Sequence, residues 1–391
     1  MRTVRCGRRT FLGGAAAALG AVAAASGDAE APAGKSGRIP IIDITDLYHP
    51  SQDVGDNVDL VAGYALAGID LKAVILDVTG RYRRPFINEA DHSYDDPRGN
   101  RDPGFIPVTQ LNALFGRNVP AAVGPYAYMR DPEDTMRDAP AFQQNGVELI
   151  LKVLRESDSP VDVLSFGSVR ALAVAFNREP GLLRRKVRCA HLCIGAAPKG
   201  YLEWNVKLEP HGFVRLLRSD LNCALYPCAT ERSPFDIAPH NTYWRMENLA
   251  CVREWAPSLQ AYLAYAFAAS NRTDFLNAIE EPAPAEVLDR MAANPHHVWE
   301  TAVWMQAAGL QLVRHADGKH RIVSAAEVQP SDTVLPNELK YCRIDVQDDG
   351  QFDFQLSGTP TNFRIYHRGD PQENQRALQE AWPEWYRSFR L

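Results

Sequence analysis

With 391 residues, of which 46% are apolar and 23% charged, the chain can bury a large core, which excludes a peptide-sized or wholly disordered protein. Its formal charge of −6 excludes a general nucleic-acid binder, because binding phosphates takes a basic face.

The amino terminus reads MRTVRCGRRTFLGGAAAALGAVAAA: a basic segment, a small-residue apolar stretch, then Ala-x-Ala at Ala23 to Ala25. That order predicts a secretory signal over residues 1–25. Arg8-Arg9 before Thr10-Phe11-Leu12 makes it a twin-arginine type, which exports an already folded protein to the periplasm or beyond. The Gly/Ala-rich run is short and weakly apolar for a spanning helix, and no second candidate follows, so no membrane association is expected once the signal is removed. Removal takes four arginines (Arg2, Arg5, Arg8 and Arg9) and no acid, moving the formal charge from −6 to −10. Residues 26–37, rich in Ala, Gly, Pro and Ser, read as a linker, and residues 38–391 as the folded domain.

Apolar runs alternate with helical spacing thereafter. Strands are predicted at Ile39 to Ile44, Leu71 to Val78, Val119 to Val123, Val161 to Phe166, Val187 to Ile194 and Cys223 to Tyr226. Helices are predicted at Leu60 to Ala67, Val108 to Phe115, Val147 to Leu154, Val169 to Phe176 and Phe213 to Leu217. Such alternation predicts an α/β fold with an open, mainly parallel sheet and helices on both faces. Tyr82 to Gly104 interrupts it with a long, charged, Pro- and Gly-containing insertion that reads as a lid or rim, or as a tolerated surface loop. The remainder forms an extension. Helices are predicted at Tyr243 to Ala269, Phe275 to Ile279, Ala285 to Met291 and Val298 to Ala308. A β-hairpin with Asp349-Gly350 as a two-residue loop, a strand at Asn362 to His367 and a closing helix at Glu373 to Phe389 complete the chain.

Of seven cysteines, Cys6 falls in the signal. The other six permit disulfides without identifying any. Cys189 and Cys193, in a predicted buried strand with His191, read as core residues ahead of a metal site.

The stretch IIDITDLYHPSQDVGDNVDL, Ile41 to Leu60, carries Asp43, Asp46, Asp53, Asp56 and Asp59. Carboxylates this close repel unless water screens them or a cation gathers them. Ile41 and Ile42 end a buried strand, so the first carboxylates fall at its carboxyl end, where open α/β sheets bind ligands. A hard cation such as calcium, with six to eight oxygen ligands, suits them. A solvated acidic loop with an Asp cap on the next helix is the alternative.

Three segments resemble the inosine/uridine-preferring nucleoside hydrolase family: IIDITDLYHPSQDVGD, then VLSFGSVRALAVAFNREPGLLRRKV, then CIGAAPKGYLEWNVKLEPHGFVRLL. The resemblance implies that fold, with calcium as cofactor and cleavage of the N-glycosidic bond of a ribonucleoside or related small glycoside. It implies Asp46 as calcium ligand and as the base that deprotonates the attacking water, Asp56 as chelating carboxylate, and the backbone carbonyl of Phe166 as a further ligand. Glu203 and Asn205 would bind sugar hydroxyls. The family has adjacent carboxylates where this chain has Gly55-Asp56, so Asp53 or Asp59 is the candidate replacement, Asp53 also as a metal ligand. The family's carboxyl-terminal His-Asp pair matches Pro295-His-His-Val-Trp-Glu300, with His297 to protonate the leaving base and Val298 where a ligand is expected. Glu300 substitutes, or water does, or the metal is lost. His240 and Asn241, beside Tyr243 and Trp244, suit a base or sugar ring and equally suit ordinary packing. A homo-oligomer is implied by the same resemblance. A non-catalytic sugar- or nucleoside-binding protein on this scaffold, or a hydrolase of another glycoside, remain open readings.

Overall fold

Ile41 packs into an apolar cluster on one face of a sheet, and Ile42 and Ile44 fall together in a second cluster, because successive strand residues point to opposite faces and alternate residues share one. The computed structural model describes residues 37–51, 53–78 and 101–391. The predicted signal, the linker up to residue 36 and residues 82–100 of the predicted insertion lie outside the described residues.

The strands are β1 Ile39–Thr45, β2 Ile69–Leu76, β3 Ala121–Val123, β4 Val161–Ser165, β5 Val187–Leu192, β6 Cys223–Leu225, β7 Trp244–Met246, β8 His296–Val298, β9 Leu310–Arg314, β10 His320–Ser324, β11 Thr333–Val334, β12 Glu338–Val346, β13 Phe352–Leu356 and β14 Phe363–His367. Nine of them form one sheet in the order β13-β12-β14-β6-β5-β4-β1-β2-β3. Pairing is parallel from β14 to β3, and only β12 runs against its neighbours. This is the expected mainly parallel α/β sheet.

Helices α1 Gly55–Ala65, α2 Phe105–Leu114, α3 Ala141–Glu156, α4 Arg170–Arg178, α5 Pro180–Lys186, α6 Trp204–Leu208 and α7 Pro210–Leu217 connect the parallel strands. The later helices are α8 Pro257–Phe267, α9 Phe275–Ala278, α10 Ala285–Ala293, α11 Thr301–Ala307 and α12 Pro371–Arg387. Buried residues of α3, α4, α5 and α7 cover one face of the sheet, and those of α1, α2, α8, α10, α11 and α12 the other. Among the described residues no helix is long and apolar enough to cross a membrane.

The structure differs from the sequence reading in the extension. The expected helix over Tyr243 to Ala269 divides into β7, a 3-10 turn at Ala250–Glu254 and α8. Trp244-Arg245-Met246 alternates buried, exposed and buried, a strand period, and Pro257 opens a new helix at its first position. Likewise His296–Val298 is extended and pairs antiparallel with β7, so the helix expected from Val298 begins at Thr301. The β12–β13 hairpin is closed by Gln347 N–H donating to the Gln351 carbonyl at 2.8 Å, which leaves a three-residue loop rather than two. Gly350 takes the left-handed conformation (φ +86°) that this turn requires.

One buried ion pair ties the connections together. Arg170, first residue of α4, donates from Nε to Glu209 Oε2 at 2.7 Å. Its Nη1 donates to the carbonyls of Val78 and Pro125 at 3.1 and 3.0 Å, and its Nη2 to that of Leu208 at 3.0 Å. Both side chains are essentially inaccessible, at 1% and 0% exposure, so every charge must be met by protein. Replacing Glu209 with alanine strands the guanidinium in the core. Urea unfolding of Glu209→Ala should show a loss of about 3–5 kcal/mol, and an unchanged midpoint would refute this role.

Candidate functional site

A chain that ends parallel strands along one edge gathers there whatever its sequence places just past them. Past β1 comes Asp46, past β2 Asp77, past β4 Phe166, past β5 Cys193 and past β6 Cys228. The turn after β4 is tightly determined. Asp77 accepts from Ser168 N at 2.6 Å and from Ser168 Oγ at 3.0 Å, and a Cβ at Gly167 would stand 2.5 Å from Asp77 Oδ2. Glycine is thus required, and buried Val169 is left at φ +57°, a strained value for a β-branched residue.

A cavity of about 200 Å³ opens at this edge. Asp46, Asp53, Asp56 and Glu300 line its acidic part, and Trp204, Phe235 and Trp299 supply aromatic surface. Phe166, Glu203, Asn205, Cys193, Cys228 and Pro234 complete the lining. A larger depression of about 440 Å³ lies beside α7, far along the chain from these carboxylates. There Arg218 pairs with Asp348 at 2.7 Å and Arg215 donates to Asn177 Oδ1 at 2.6 Å, and with Glu133 the lining carries both signs rather than a concentration of one.

No Lys or Arg lines the acidic pocket among the described residues. Burial, above all, pushes the carboxyls of Asp43, Asp46, Asp56 and Asp59 well above the ordinary range, and neighbouring carboxylates add to the effect. Asp53, half-buried and accepting from Gly55 N at 2.7 Å, rises to about 6, desolvation again the main cause. Asp43 is 1% exposed and both its oxygens lack a hydrogen-bond partner. Asp59 is turned inward, 3.4 Å from the hydroxyl of Tyr386, and outside the pocket lining.

Oxygen donors with no compensating side-chain cation match the chemistry of a hard metal ion, which Asp46, Asp53, Asp56, Glu300 and the Phe166 carbonyl could hold. Among the described residues, however, no three His, Cys, Asp or Glu side chains stand as an assembled ligand group. The donor set fits such an ion in kind.

The other expected site residues divide. Glu203 reaches the pocket, yet its carboxylate accepts from the backbone N–H of Gly195, Asn205 and Val206 at 3.0, 3.0 and 3.3 Å, capping α6. It therefore mounts Asn205, whose amide nitrogen lies 3.5 Å from the Phe166 carbonyl. His297 is not in the lining. Its Nδ1 lies 2.8 Å from the Tyr243 hydroxyl and its ring 5.1 Å from that of Phe235, in a neighbouring surface depression with Arg245. Burial and Arg245 lower its pKa. His240 sits at β14, with Nδ1 2.8 Å from the Tyr366 carbonyl, and Asn241 is fully buried, bonded to Asp236, Ala238 and Arg368. Neither is in the pocket lining: after Phe235 the segment turns towards β14. Trp204, Phe235 and Trp299 were not singled out, although Trp204 stands inside the Glu203-Trp-Asn205 segment.

At the level of sequence, no family model and no curated protein matches the chain. Among solved structures, a plant nucleoside hydrolase superposes with a TM-score of 0.50 at 14% identity, covering 88% of this chain and 98% of that one. The fold is that of the nucleoside hydrolases. A purine-preferring ribonucleoside hydrolase from Gardnerella vaginalis aligns over 89% of this chain and 99% of its own at 11% identity, with a TM-score of 0.49. An inosine-uridine preferring nucleoside hydrolase from Bacillus anthracis covers 88% and 100% at 10% identity and a TM-score of 0.43. On this nucleoside-hydrolase fold the acidic pocket occupies the carboxyl edge of the sheet.

The Asp53 carboxyl keeps its proton in the fold up to about 6, whereas the unfolded chain loses it near 3.8. That contribution to stability is complete below the lower value and is lost as pH rises through the upper one. Chelator-treated protein should therefore melt at progressively lower temperature as pH rises from about 4 to about 6. Asp53→Asn should make that slope shallower, the other buried carboxyls supplying the remainder, and an unchanged slope in the variant would show that Asp53 contributes nothing to it.

Proposed function

We propose that the chain is a calcium-dependent hydrolase that cleaves the N-glycosidic bond of a ribonucleoside or a related small glycoside. The observation that carries this reading is the juxtaposition, in one small cavity at the carboxyl edge of a nucleoside-hydrolase fold, of uncompensated carboxylates with three aromatic side chains. A purely structural acidic cluster has no use for aromatic walls, and a purely aromatic binding cleft has no use for carboxylates without counter-charge.

Asp46, Asp53, Asp56 and Glu300 would hold the calcium, with the carbonyl of Phe166. Bound there, calcium supplies neutralising charge and a means of orienting water and vicinal hydroxyls. Asp46 takes the proton of the attacking water, a role suited to a carboxylate whose proton affinity burial has raised. Negative charge along the edge favours the oxocarbenium-like state as the bond to the base breaks. Asn205, held in place by the Glu203 cap, hydrogen-bonds a sugar hydroxyl. Trp204, Phe235 and Trp299 cover the rings and exclude bulk water. His297 supports this wall by packing against Phe235 and bonding Tyr243, and the reading assigns it no proton transfer. The reading includes export through the signal at residues 1–25, supported by Arg8-Arg9 and Ala23 to Ala25.

Isothermal calorimetry should detect calcium binding to the wild-type protein, weakened on the order of tenfold or more in Asp56→Ala, since charge count tunes such sites. Release of free base from a nucleoside panel should fall by about a hundred- to ten-thousand-fold in Asp46→Asn, the range for loss of a general base. Absence of both calcium binding and base release would overturn the proposal. Tight nucleoside binding without release would instead identify a binding protein on this fold.

A further inference from the structure

The glycosidic chemistry leaves unused two thiols in the same pocket. Cys193 follows β5 and Cys228 follows β6, neighbouring parallel strands whose register pairs His191 with Ala224 and Leu192 with Leu225. Continued past the strands, that register sets Cys193 level with Tyr226 and brings Cys228, two residues on, to the same face of the sheet. The result is a sulfur–sulfur contact: Cys193 Sγ lies 3.6 Å from Cys228 Sγ. Both residues line the cavity, and the sulfur–sulfur contact is the shortest that either thiol makes. The remaining neighbours of Cys193 Sγ are the Trp299 carbonyl at 3.8 Å and Thr242 Oγ1 at 3.9 Å, and Cys228 Sγ has the Tyr226 carbonyl at 4.0 Å.

We propose that Cys193 and Cys228 are a redox-active dithiol that closes to a disulfide in the wall of the pocket. A disulfide bond is about 2.05 Å long, so the sulfurs must approach by roughly 1.5 Å, a movement within reach of side-chain rotation. The flanking backbone is held in place. Cys228 N–H donates to the Gly195 carbonyl at 2.9 Å, and Trp299 Nε1 donates to the Cys228 carbonyl at 3.0 Å. The oxidant is a small organic disulfide. One thiol loses its proton and attacks a sulfur of the oxidant, expelling one thiolate. The second cysteine then loses its proton and attacks the mixed disulfide, expelling the other thiolate. The protein gives up two protons and two electrons, and the oxidant becomes two thiols.

The location gives the bond a consequence. Gly195, two residues past Cys193, supplies the N–H that holds Glu203, and Trp299 contacts both cysteines through its backbone and its indole. A crosslink here joins the strand end that carries the mount of Asn205 to the aromatic wall.

The test equilibrates the purified full chain with excess oxidised glutathione at mildly alkaline pH, blocks the remaining thiols by alkylation in denaturant, and maps non-reduced tryptic peptides by mass. Cys189 shares a tryptic peptide with Cys193, and Cys223 with Cys228, so fragmentation must assign the bond. The expected product joins Cys193 to Cys228, is two hydrogens lighter than the reduced pair, is reversed by dithiothreitol and is lost in Cys228→Ala. A bond between Cys189 and Cys223, a stable glutathione adduct without closure, or full alkylation of both pocket thiols would each overturn the proposal. Because the readout is peptide mass on wild-type protein, it is independent of whether any nucleoside is turned over.

Discussion

The Arg170–Glu209 pair is the constraint on which the carboxyl edge of the sheet depends. One guanidinium, out of reach of water, satisfies the carbonyls of Val78 just past β2, Pro125 just past β3 and Leu208 at the end of α6, together with the Glu209 carboxylate that caps α7. Unpaired, any of these groups would cost several kcal/mol in so dry a setting. Paired, they compel the segments after β2 and β3, the start of α4 and the approach to α7 to meet at one point. The turn from Phe166 to Val169 is therefore stretched between β4 and a fixed helix start, which accounts for its required glycine and its strained valine. The edge is rigid because charge has been buried there and fully answered.

A short distance along the same edge the opposite holds. Asp43, Asp46, Asp53, Asp56 and Glu300 approach one another with no Lys or Arg among the described lining residues. Desolvation and mutual repulsion both oppose ionisation, so such a cluster is stable only with protons or with an external cation. A chain that needed only stability would have replaced these residues with apolar ones of similar volume. That imbalance beside a pocket, next to a network where charge is so fully matched, is what the proposed cation would answer.

Much of the scaffold was legible in sequence because its strands are buried on both faces and read as plain apolar runs. The strands from β1 to β6 fall within a few residues of expectation, and Asp46, Asp53, Asp56, Glu203 and Asn205 do reach one pocket. What was not legible has particular causes. Strands β7 and β8 are three residues each and β9 to β11 are half-exposed, too short or too polar for a period to emerge. Glu203 is an unusual helix cap, so its commitment to three backbone donors had no signal. His240 and Asn241 follow the last core strand in sequence, but β14 inserts beside β6 from the far end of the chain and draws their segment towards itself. Phe235 and Trp299 meet across more than sixty residues, and the thiol contact depends on strand register, neither of which spacing along the chain can express.

The two departures from the family pattern can now be weighed physically. At Gly55, a Cβ would lie 3.0 Å from Asp53 Oδ1, the same oxygen that accepts the Gly55 N–H. A side chain at position 55 would crowd Asp53 in its present place, and the chain carries the charge on Asp53. At Val298 the side chain is wholly buried in β8, opposite Trp244. A carboxylate there would face the core. Two residues later, Glu300 stands before α11 and lines the pocket, its Oε2 accepting from the Trp299 N–H at 2.9 Å. In both cases a carboxylate missing from its expected position has a counterpart two residues away that reaches the cavity. The negative field in the pocket is therefore supplied by Asp53 and Glu300 without a carboxylate at position 55 or 298.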